Sequence, residues 1–128
     1  MACRLVGPGD LERLSGPGVR AFFRIAERWG LAEADQQALL GGISRSTLHR
    51  WQRNQDALLT VDQLERVSCL LGIYRNLRIL LPATADGWVS RPNTAPLFGG
   101  RTALEVMAEG GISALRQVRT YLDAQCWA

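Results

Sequence analysis

Apolar residues recur along this chain at three- and four-residue steps, and Val and Ile never alternate over a strand length, so the pattern predicts helices throughout. Val19, Phe22, Phe23 and Ala26 fall at i, i+3, i+4 and i+7 and make one apolar face, with Arg20, Arg24 and Arg28 on a second face. Ser15-Gly16-Pro17 reads as a breaker, so this first helix is expected to start after it, behind a loose tail with one helical turn near Leu11. Gly30 ends the helix. A short second helix over residues 33–40 stops at Gly41-Gly42, and a third runs over residues 45–53 with Ser44 as N-cap. Thr60-Val61-Asp62-Gln63 is a capping box. It opens a long amphipathic helix whose apolar positions are Leu64, Val67, Leu71, Tyr74, Leu77 and Leu81, with Gly72 as a kink or close-packing point.

Pro82 breaks that helix, and a short one over residues 85–90 brings Trp88 to a loop. Pro92 disfavours helix at Arg91; Asn93, Thr94 and Pro96 suit turns; Gly99-Gly100 can take positive φ. Thr102-Ala103-Leu104-Glu105 is a second capping box, in which the hydroxyl and the carboxylate each take the other residue's N–H. A helix over residues 103–109 ends at Gly110-Gly111, and a last helix spans residues 112–125. Its expected core face is Ile112, Leu115, Val118 and Leu122, and its expected wet face is Arg116, Arg119 and Asp123.

At 128 residues the chain fits one domain or two small helical units sharing a core. The net charge of +3 permits an anionic partner without requiring one. All fifteen basic residues are Arg, which forks onto phosphate and carboxylate as Lys cannot. The three cysteines, Cys3, Cys69 and Cys126, form no CxxC or Cys/His cluster; the expectation is reduced thiols, a cytoplasmic protein and no metal site. The beginning of the sequence lacks the apolar run of a signal peptide. The apolar stretch over residues 67–81 is interrupted by Arg75 and Arg78 and is expected to be a buried helix, not a membrane span. Catalysis finds little support. His49 is the one histidine, Cys69 has no base near it in sequence, no glycine-rich loop precedes a Lys, and Gly99-Gly100 follows a loop where a dinucleotide fingerprint follows a strand. No catalytic residue and no cofactor is expected.

Residues 34–53 carry a bihelical pattern. Ala38 is small where two helices approach, Gly42 supplies the turn, and Ile43, Leu48 and Trp51 are pegs holding the third helix to the body. Ser44, Arg45, Ser46, His49, Arg50 and Arg53 are left facing outward, and no acid occurs between Asp35 and Asp56 to oppose their charge. Arg45 and Arg50 suit guanine edges, and Ser44, Ser46 and Arg53 suit phosphates. The alternative is an ordinary solvated face in a domain that has lost DNA binding.

The 91–107 stretch, RPNTAPLFGGRTALEVM, with Trp88 just upstream, resembles the C-terminal toxin-binding domain of Xre/MbcA/ParS-type antitoxins, and the preceding part resembles their Xre-like helix-turn-helix domain. The chain departs from the family pattern at Ala103, where many relatives place Pro; Ala still favours helix. The resemblance implies an all-α fold: a tail over residues 1–16, an Xre-like helix-turn-helix bundle over 17–81, and a small helical toxin-binding unit over 82–128 joined to it through the long helix. It also implies an antitoxin that neutralises a RES-domain toxin, a consumer of NAD or transferrer of ADP-ribose, by covering its active-site cleft. Autorepression through operator DNA and a homodimer within a toxin–antitoxin hetero-oligomer complete that reading. Candidate toxin contacts are Asn93, Arg101, Asp123, Gln125, Cys126, Trp127 and Ala128, while Pro92, Gly99, Gly100, Thr102 and Glu105 shape the loop and cap. Trp127 is either an interface anchor or folded back on the last helix, and Asn93 and Arg101 either meet a partner or serve the turn and solvent. The competing function is a stand-alone helix-turn-helix regulator whose C-terminal hairpin dimerises or senses a ligand.

Overall fold

The computed structural model describes residues 9–55 and 57–127. Residues 1–8 of the expected tail over 1–16, together with Asp56 and Ala128, lie outside them. The helices are α1 (Asp10–Trp29), α2 (Glu33–Leu39), α3 (Arg45–Asn54), α4 (Val61–Leu80), a 3₁₀ helix (Ala85–Ser90) and α5 (Ala103–Trp127). Pairing of extended backbone among the described residues is confined to one isolated antiparallel bridge, Pro92 to Thr102. The all-α expectation holds.

α4 is the spine. α1 packs along one side of it and α5 along another, and α2 also rests on α5. Buried positions therefore run most of the way round α4: Leu64, Val67, Cys69, Leu70, Gly72, Ile73, Asn76 and Leu77. This corrects the one-stripe reading, which placed Leu71 inside. Leu71 is exposed, and Leu70 and Ile73 take the centre, because a helix covered on two sides has no single apolar stripe. One continuous core joins both units, from Phe22 and Leu48 in the first to Phe98, Met107 and Leu115 in the second.

One boundary differs from expectation for a physical reason. α1 begins at Asp10 and runs straight through Pro17. Pro costs a helix its N–H and crowds the preceding turn, but tertiary contacts offset this here. Ser15 is buried, its hydroxyl donates to the Leu11 carbonyl, and its oxygen accepts the Leu59 N–H at 2.8 Å. Gly18 lets Leu59 and Leu64 close in, since a Cβ there would lie 3.3 Å from Leu59 Cδ1. α5 agrees with expectation: it is two helical arms that meet at Gly111, where the non-helical φ 66° and ψ −153° make the break expected from Gly110-Gly111.

The expected wet face of α5 is corrected at Arg119. Its guanidinium is buried in a slot on α4 that exists because residue 72 is glycine; a Cβ there would sit 2.4 Å from Arg119 Cζ. Arg119 donates to the Ser68 carbonyl at 3.2 Å and lies 3.7 Å from Asp123, which also accepts from the fully buried Asn76 at 2.6 Å. Of the cysteines, Cys126 is a free, half-buried thiol and Cys69 is buried on α4, while Cys3 lies outside the described residues.

Candidate functional site

Two surfaces collect the residues singled out from sequence. The first is the outer face of α3. Gly41 and Gly42, at φ 93° and 83°, turn the chain between α2 and α3. Ser44 caps α3 by accepting the Thr47 N–H at 3.0 Å. Leu48 and Trp51 are buried and Ile43 is partly buried against the core, so these pegs fix which side of α3 points out. Ser44, Arg45, Ser46, Arg50 and Arg53 are exposed there and His49 is half-buried. α3 closes on Gln55, in the left-handed region at φ 58°, whose N–H bonds to the Trp51 carbonyl.

The charge on this face is not unopposed. Glu33, the first residue of α2, reaches across to Arg45 Nε at 2.9 Å and His49 Nε2 at 2.6 Å. A count of acids along the sequence misses it because the turn folds the start of α2 over α3. The hydrogen bond from His49, helped by the charges of His49 and Arg45, holds the Glu33 carboxyl below its ordinary range. Arg20, Arg24 and Arg28 form an exposed stripe on α1.

The second surface is the loop and the far end of α5. Asn93 exchanges backbone hydrogen bonds with Arg101 and Gly100, at 3.0 and 2.8 Å, and its side chain accepts the Ala95 N–H at 2.9 Å. Gly99 and Gly100 take positive φ, which lets the loop close. The Thr102 capping box forms in both directions: the Glu105 N–H donates to Thr102 Oγ1 at 3.0 Å and the Thr102 N–H donates to Glu105 Oε1 at 2.9 Å; the latter, with the Thr102 hydroxyl donating to the same oxygen at 3.1 Å, holds the Glu105 carboxyl low. Arg101 pairs with Glu109. Phe98 plugs the loop into the core between Trp88 and Tyr121, with ring centroids 5.6 and 5.5 Å away in edge-to-face geometry. Beside it, Leu77, Leu80, Leu81, Trp88, Tyr121, Leu122 and Gln125 line a hollow of about 220 Å³.

At the end of α5 the candidates separate. Trp127 is 65% exposed and does not fold back on the helix. Gln125 is exposed, and the half-buried Cys126 thiol donates to the Asn76 carbonyl at 3.7 Å. Asp123 faces inward, to Asn76 and Arg119. Sequence reasoning missed Glu33, Asn76, Arg119 and Phe98. Only Gly72 hinted at any of them, since a glycine inside a long helix signals that something comes close.

A helix-turn-helix face on one end and a looped helical hairpin on the other agree with what related proteins show. Residues 10–72 match the family described as antitoxin Xre-like helix-turn-helix domain, and residues 77–126 match the antitoxin Xre/MbcA/ParS C-terminal toxin-binding domain. The chain belongs to the Xre/MbcA/ParS antitoxin family. It is also 44% identical over 120 residues to "Uncharacterized protein y4oB" of Sinorhizobium fredii (strain NBRC 101917 / NGR234), an alignment covering 92% of this chain and 84% of that one. In this antitoxin-family chain, no helix of the described residues is long and apolar enough to cross a membrane. No group of three or more His, Cys, Asp or Glu among them could hold a metal ion.

Proposed function

We propose that this chain neutralises a RES-domain toxin, one that consumes NAD or transfers its ADP-ribose, by covering the toxin's active-site cleft, and that it represses their shared promoter through α3. It performs no chemistry itself. The observation that carries the reading is Trp127: a large aromatic 65% exposed on the last turn of α5, directly after the residues 77–126 that match the toxin-binding domain. An indole in that position supplies apolar area and a hydrogen-bond donor at a small entropic cost. Gln125 and Cys126 flank it, and the loop residues Asn93 and Arg101 are the secondary contacts. Asp123 would have to leave Asn76 and Arg119 to meet a toxin, so the proposed surface leans on its neighbours instead.

On the DNA side, Arg45 and Arg50 read base edges, and Ser44, Ser46 and Arg53 hold phosphates. Two copies reading two half-sites account for a homodimer within the toxin complex. The pair works in the cytoplasm, where promoter and NAD are both present. Co-expression with the adjacent reading frame is the test. A RES-type product should co-purify with this chain and lose its NAD consumption when bound. An unbound neighbour, or one still active in the complex, would contradict the reading and favour a stand-alone regulator.

A further inference from the structure

Arg45 and His49 stand one turn apart on α3, and a single carboxylate from another helix spans them. Glu33 Oε1 lies 2.9 Å from Arg45 Nε in an ion pair, and Oε2 is hydrogen-bonded to His49 Nε2 at 2.6 Å. Because the carboxylate meets Arg45 at Nε, the terminal amino groups of that guanidinium remain for an outside acceptor, on a side chain 72% exposed. A free Arg side chain samples many rotamers and loses that freedom on binding. One already held in place loses less, so its preference for a correctly placed pair of acceptors is sharper. The same carboxylate repels phosphate and so weakens attachment to DNA of arbitrary sequence.

We propose that Glu33 is a positioning residue for DNA recognition: it clamps Arg45 and His49 into a reading geometry and thereby sets how well α3 tells its operator from other DNA. This rests on the DNA-binding reading of α3. Glu33 touches no base. An exposed ion pair adds little stability, which leaves Glu33 free to be altered without unfolding the protein.

The experiment uses the full chain, a duplex covering the region upstream of its reading frame, and a scrambled duplex of equal length. Affinity for both is measured at one fixed ionic strength for wild type, Glu33→Asp, Glu33→Gln, Arg45→Ala and Glu33→Gln/Arg45→Ala, with thermal melting to verify folding. Glu33→Asp keeps the charge and loses the reach, so it separates clamping from repulsion. The expected result is a fall of about threefold or more in the ratio of upstream to scrambled affinity for both Glu33→Asp and Glu33→Gln, with a smaller further fall when Glu33→Gln is added to Arg45→Ala, where only the His49 contact is left to lose. A Glu33→Asp protein with an unchanged ratio, or a Glu33→Gln protein that gains equally on both duplexes, would reduce Glu33 to a repulsive charge and overturn the proposal. A wild-type chain that prefers neither duplex would instead overturn the DNA-binding reading, and the proposal with it.

Discussion

Arg119 and Gly72 are a lock and its slot. The guanidinium lies where a Cβ on residue 72 would be, and it satisfies the Ser68 carbonyl while facing Asp123. Gly→Ala inside a helix ordinarily stabilises by about 1 kcal/mol. Here Gly72→Ala must expel a buried cation from its acceptor, and the expected sign reverses: a loss in wild type, and a gain of about 1 kcal/mol in an Arg119→Ala background. Urea melts of the four proteins check this, and equal effects of Gly72→Ala in both backgrounds would refute it. Glu105 gives a prediction in pH. Its folded-state pKa is depressed by Thr102, so its stabilising contribution is complete above the unfolded value and disappears as pH falls through the lower folded one. Stability of wild type relative to Glu105→Ala, followed by denaturant melts from neutral pH downward, should be full near neutrality, decline as pH falls through the usual carboxylate range and vanish below it.

At the scale of elements, α1 shows tertiary structure overriding a local signal. Ser15 serves both Leu11 in its own helix and Leu59 in the segment before α4. Ser15→Ala leaves the Leu59 N–H without a partner and should cost about 1–3 kcal/mol, read from denaturant melts; a change within a few tenths of a kcal/mol would show that Ser15 does not hold α1 through Pro17. Sequence alone was enough for the caps at Ser44, Thr60 and Thr102, for the pegs Leu48 and Trp51, and for the PN–GG loop, because each depends on neighbours within a few residues. It was not enough for the start of α1, the burial of Arg119, the inward turn of Asp123 or the reach of Glu33. Each of those depends on a partner many residues away, and no local pattern encodes it. The outward set on α3 was legible by subtraction once the pegs were placed, though its electrostatics were not. Arg50, exposed on that face, should lose about 1–3 kcal/mol of upstream-DNA affinity on change to Ala, the value of a bidentate base contact. An unaffected affinity would remove it from the reading set.

At the scale of the molecule, α4 carries both units on one core, so α3 and the end of α5 are mounted on a common body. That arrangement predicts separable losses. Arg50→Ala should leave toxin binding intact, and removal of residues 125–128 should leave DNA binding intact; parallel losses in both assays would point to unfolding instead. Trp127 contributes to packing only slightly at 65% exposure, so its substitution is a clean probe. The deciding measurement is NAD consumption by the purified product of the adjacent reading frame, titrated with this chain and with its Trp127→Ala variant. The account predicts stoichiometric inhibition by the wild type and inhibition weakened about tenfold or more in the variant. Undiminished NAD consumption at saturating wild-type chain would contradict it.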